Sequence, residues 1–102
     1  MLAEFSISPL DKGESLSEYV AKIIEIVVSS GLPYKMSAMG TIVEGEPDEV
    51  FDLIKRCHMK MREMSNRVST YIKIDDRKGK TNRLEGKIES VEKRLGKSLK
   101  KY

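Results

Sequence analysis

The chain of 102 residues is 39% hydrophobic and 34% charged with a formal net charge of +3, proportions that suit one domain over residues 1–102 and leave little room for a second core. No stretch approaches the about 20 apolar residues of a membrane span, and the opening MLAEFSISPL lacks the basic start and long apolar core of a secretion signal, so a cytoplasmic protein without a membrane partner is expected. One cysteine and one histidine, Cys57 and His58, exclude an internal disulfide and the usual zinc ligand sets, and the interspersed charges read as solvated surface rather than a nucleic-acid footprint.

Ala3, Phe5 and Ile7 alternate with Glu4, Ser6 and Ser8, the period of a half-buried strand, and Pro9 ends it. Ser15 followed by Glu18 reads as a capping box. Leu16, Val20, Ile23, Ile24 and Val27 then follow helical spacing to Ser30, where Gly31 and Pro33 stop the helix. Residues 34–45 have strand composition on both sides of Gly40 and Thr41 and predict a hairpin or bulged strand pair. Pro47, with Asp48 and Glu49 behind it, starts a second helix whose buried stripe is Val50, Ile54, Cys57 and Met61. From Arg67 to Asp76, Val68, Thr70, Ile72 and Ile74 alternate with Ser69, Tyr71, Lys73 and Asp75 as a fourth strand. After the polar loop RKGKTN, Leu84, Ile88, Val91, Leu95 and Leu99 mark a third, amphipathic helix.

The order predicts an α+β, ferredoxin-like βαββαβ domain with an additional C-terminal helix. Two helices are expected to cover one sheet face, through Ala3, Phe5, Ile7, Val68 or Thr70, Ile72 and Ile74. Ser6, Ser8, Tyr71 and Lys73 then fall on the other face. The narrow stripe of the last helix has no seat inside so small a domain, which predicts a homo-oligomer interface.

Most chemistries used on this topology fail on their residues. The third strand, Thr41 to Glu44, has no ring to stack a base, against RNA binding. Gly79-Lys80-Thr81 lacks the first glycine of a phosphate loop. Cys57 and His58 point about 100° apart on a helix and form no dyad; Cys57 reads as a core residue and His58 as a hydrogen-bonding cap on the core. With no paired carboxylates at helical spacing, no metal cluster and no nucleotide motif, no catalytic residue, metal or cofactor is assigned. What resists a packing explanation is charge on strands, at Glu44 and Arg67. Glu44 with Ser6, Ser8, Thr41 and a ring from Tyr34 or Tyr71 would suit a small pocket for a flat, hydrogen-bonding or cationic heterocycle.

The fragments SSGL-Y (29–34), MGTIVEG (39–45), Cys57-His58 and RVSTYIKIDDR (67–77) together resemble the small thiamine-binding protein family, and the likeness continues through KIESVEKRL (87–95). The resemblance implies a ferredoxin-like domain assembling as a homodimer or homotetramer. It also implies a ligand that is thiamine or its hydroxymethylpyrimidine part, and no established reaction. Its motif positions here are Thr41, Glu44, His58 and Arg67, with Ser8 and Tyr34 behind them. The expectation is a non-enzymatic small-molecule binder. The alternative is a structural or regulatory interaction protein whose sheet and last helix mediate assembly.

Overall fold

A computed structural model describes residues 1–13, 16–79 and 81–99. Its elements are β1 (Leu2–Pro9), α1 (Ser17–Ser29), β2 (Tyr34–Ser37), β3 (Gly40–Glu44), α2 (Pro47–Met64), β4 (Val68–Asp75) and α3 (Arg83–Leu95). They build a small α+β fold with one four-stranded sheet of order β2-β3-β1-β4, antiparallel throughout. The chain order agrees with the expected strand and helix sequence. The hairpin turn differs: it lies at Ala38 and Met39, and Gly40 and Thr41 already belong to β3. The expected capping box at Ser15 falls outside the described residues. α1 ends where Gly31 takes φ +77°, a conformation cheap only for glycine.

β1 sits in the middle because its alternation gives the helices a continuous apolar row. Ala3, Phe5 and Ile7 are buried under α1 and α2 with Ile23, Val27, Val43, Val50, Leu53, Ile54, Cys57 and Met61. α2 matches its predicted stripe and adds Leu53. Its first turn is closed by the Glu46 N–H donating to Glu49 Oε1 at 3.2 Å. Burial pushes the Cys57 thiol up to about 11, so it stays protonated at neutral pH as a core residue.

The helices centre on β1 and do not reach the far edge of β4. Ile72 and Ile74 share the helix-side face yet remain about 40% exposed, contrary to the expected cover. The β1–α1 loop is tied down at the start of β4: the Asp11 carboxylate accepts hydrogen bonds from Ser65 Oγ and from the Asn66 N–H. The Ser65 bond, then the Asn66 bond, holds the Asp11 carboxyl below its usual range.

Two glycines should respond oppositely to alanine. A Cβ at Gly40 would lie 2.9 Å from the Phe5 carbonyl oxygen, so Gly40→Ala must push β3 from β1 and cost about 1–3 kcal/mol in urea unfolding. Gly86 lies inside α3 with open space around it, so Gly86→Ala should strengthen that helix by about 0.5–1 kcal/mol, read as slower amide exchange across α3.

Candidate functional site

The seven predicted site residues do not converge. Alternation along β3 puts Thr41 on the helix side and Glu44 on the opposite face, and the two line different cavities at opposite ends of the sheet. This corrects the expected grouping. The structure places Ser6, Ser8 and Thr41 at one end of the sheet and Glu44 at the other. Tyr34, paired with Val43, is on the helix-side face of edge strand β2, and Tyr71 is on the other face of edge strand β4. His58 Nδ1 and Thr70 Oγ1 share a 2.6 Å hydrogen bond that fastens α2 to β4, the capping role expected of it. Arg67 serves through its backbone: its carbonyl accepts from the Leu10 N–H at 2.7 Å and from Ser65 Oγ at 2.9 Å.

Glu44 is 7% exposed, and its carboxylate is engaged. Oε2 accepts from the Arg83 N–H at 2.7 Å and Oε1 from the Leu84 N–H at 3.1 Å, so Glu44 caps the first turn of α3 from across the fold. Asn82, before that turn, is left-handed at φ 56° and provides no side-chain cap. Beside Glu44, Asp75 receives both guanidinium nitrogens of Arg83 at 2.9 Å and Lys87 Nζ at 2.5 Å. Arg83 foremost, then Lys87, holds the Asp75 carboxyl well below the usual carboxylate range. These contacts, with Lys35 paired to Glu85 at 2.6 Å, seat α3 on the sheet face away from α1 and α2. The long tertiary cap has no local sequence signature, which is why Glu44 read as a ligand carboxylate.

The other end of the sheet holds a cavity of about 230 Å³. It exists because β1 outruns β3: their pairing stops at Phe5↔Thr41, while β1 continues beside β4 to Pro9↔Val68. Phe5, Ile7, Val20 and Ile24 supply apolar wall, and Ser8 and Thr41 are among the polar residues lining it. Backbone polarity points into the gap. The Gly45 N–H donates to the Met1 carbonyl and the Leu10 N–H to that of Arg67, just before β4, so odd-numbered β1 residues direct N–H and C=O toward β3 and even-numbered ones toward β4. Ile7 is the first odd residue past the end of β3 pairing. Its donor and acceptor therefore face the cavity, with no strand partner among the described residues. The sequence signal was available in the unequal lengths of the two strands.

Among the described residues no group of three or more His, Cys, Asp or Glu could hold a metal ion, and no helix is long and apolar enough to cross a membrane.

A small α+β sheet domain with a ring-sized cavity at one end is what the structure defines, and comparison with known proteins places it more narrowly. The Thiamine-binding protein family matches residues 3–92, and the chain belongs to that family. It is similar to the UPF0045 protein MJ1052 of Methanocaldococcus jannaschii, 41% identical over 91 residues covering 89% of this chain and 91% of the other. The UPF0045 protein YqgV of Bacillus subtilis is 39% identical over 100 residues, covering 92% and 96%. The crystal structure of MJ1052 superposes with a TM-score of 0.82 over 88% of this chain and 93% of that one. A Thermotoga maritima protein described as a candidate for thiamine biosynthesis or salvage, TM0486, shares the fold with a TM-score of 0.78 at 24% identity, over 88% and 96% of the two chains.

Two outcomes follow for the α3 seat. Glu44→Gln keeps the shape but removes the charge at the helix N-terminus, and should cost about 1–2 kcal/mol of α3 protection in hydrogen exchange. A carboxyl with a lowered folded pKa stabilises fully above its unfolded value near 3.9 and loses that contribution as pH falls below it. Acidification below about pH 4 should thus release α3 progressively, and Asp75→Asn should remove that part of the pH dependence, as followed by exchange of α3 amides.

Proposed function

We propose that this chain is a non-enzymatic, homo-oligomeric cytoplasmic binder of thiamine or its hydroxymethylpyrimidine moiety, working as a single domain, with the pyrimidine held in the cavity beside Ile7. The observation that carries this reading is the open edge of β1. One residue there offers an N–H donor and a C=O acceptor side by side, the pair that a neighbouring strand residue would otherwise engage. An aminopyrimidine presents the complement, an amino donor beside a ring-nitrogen acceptor.

Volume favours one ring over two. About 230 Å³ lies below the roughly 300–1,000 Å³ usual for drug-sized ligands, so the pyrimidine is enclosed and a thiazolium stays at the mouth. The apolar wall excludes water from the paired edge, and Thr41 and Ser8 add hydroxyls that orient the ring. In this reading Glu44, His58 and Arg67 act on the fold and not on the ligand. Membership of the Thiamine-binding protein family and the described role of the Thermotoga neighbour support the ligand class. Support for self-association comes from two surfaces. Among the described residues β4 pairs with β1 alone, leaving an eight-residue edge, and α3 exposes Val91 and Leu95.

Isothermal titration with thiamine and separately with its pyrimidine half tests the proposal. Saturable binding near one per chain is expected for both, with most of the affinity retained by the half molecule. Thr41→Val should weaken it about tenfold, the size of one lost hydrogen bond, whereas Glu44→Gln should leave it unchanged. Absence of saturable binding, or a loss confined to Glu44→Gln, would contradict the assignment.

A further inference from the structure

α3 presents a ridge without a seat, and α1 presents a seat without a ridge. Leu84 and Ile88 are half-buried beside Leu2 and Ile42, but the same face continues into Val91 and Leu95, 47% and 54% exposed. On the opposite side of the sheet, a groove of about 690 Å³ runs between α1 and β2, with Val20, Ile24, Val28 and Met36 as its apolar floor. The ridge cannot enter the groove of its own chain, because Glu44 and Asp75 hold α3 on the other sheet face.

Charge selects the pairing. The groove contains Glu25, and the last turn of α1 has no basic residue to offset the negative end of its dipole. The last turn of α3 carries Lys93 and Arg94, followed by Lys97. Laying the two helices parallel sets Val91 near Ile24 and Leu95 near Val28, since four residues rise about 6 Å on each. Arg94 and Lys97 then approach the carboxyl end of α1.

We infer that the exposed end of α3 docks in the α1–β2 groove of a second copy of this chain, and in doing so closes the cavity beside Ile7. The closure rests on the ligand reading above: Val20, Ile24 and Met36 line both the groove and the cavity, so a ridge seated in one walls off the other. The bound ring is then enclosed by two chains.

The direct test mixes full-length Val28→Cys and Leu95→Cys chains carrying tags of different size, oxidises them and resolves the products without reductant. Both positions are exposed, at 53% and 54%, and the native Cys57 is buried. A dominant crosslink between the two different chains is expected. Dominance of the Leu95→Cys homodimer, or no crosslink, overturns the docking. In parallel, Leu95→Asp should lower the assembly by one step in light scattering and weaken binding of the pyrimidine half about tenfold, with α3 helicity retained. A smaller assembly with unchanged affinity overturns the closing role. Cysteine variants that crosslink as expected, beside a wild-type chain that takes up no pyrimidine, overturn the ligand reading and its closure and leave the docking supported.

Discussion

The unequal length of neighbouring strands shapes this molecule. β1 is eight residues long and β3 five, and their pairing runs from Leu2↔Glu44 only to Phe5↔Thr41, so the four residues from Ser6 to Pro9 have a strand neighbour on one side only. A central strand cannot leave backbone polar groups in an apolar wall without cost, since an unmade hydrogen bond forfeits about 1–3 kcal/mol. Evolution's usual remedies are a longer neighbour, a bulge or water. Here the gap lies between a hairpin and α1 and is the size of one aromatic ring, so a ligand with a paired donor and acceptor can complete the sheet. Recognition in that form needs no charged side chain and no catalytic group.

The opposite end of the sheet follows a different logic. Its carboxylates, Glu44 and Asp75, are consumed in holding α3, one through two backbone N–H groups and the other through Arg83 and Lys87. Anchoring by its first turn leaves the rest of the helix projecting with its ridge exposed. The same device that keeps Glu44 from a ligand therefore creates a surface suited to another copy of the chain. In the proposed reading, binding at one end and assembly from the other are linked through α1, whose Val20 and Ile24 border both the cavity and the groove.

Much of the architecture was legible because it rests on local period. The alternation of Ala3, Phe5 and Ile7, the start at Pro47 and the stripe through Cys57 each depend on residues within a few positions of one another. The last helix was legible as far as Leu95; Gly96, at φ 70°, ends it, and Leu99 lies beyond. The hairpin turn was displaced by two residues in the reading because Gly40 looked like a turn glycine. Its role is close approach to the Phe5 carbonyl. Glu44 was singled out correctly as unusual, but its partners are backbone groups of residues 83 and 84, which carry no side-chain signature. The proposed site also escaped a reading based on side chains, since its defining groups belong to the main chain of Ile7.

The most direct measurement is the amide spectrum of the nitrogen-labelled protein as the pyrimidine half of thiamine is added. The account predicts that the Ile7 N–H shifts saturably and exchanges more slowly once the ring is bound, together with amides at Gly40 and Thr41. An unmoved Ile7, with shifts gathered instead around Glu44, Asn82 and Arg83, would place the ligand at the other end of the sheet and contradict it.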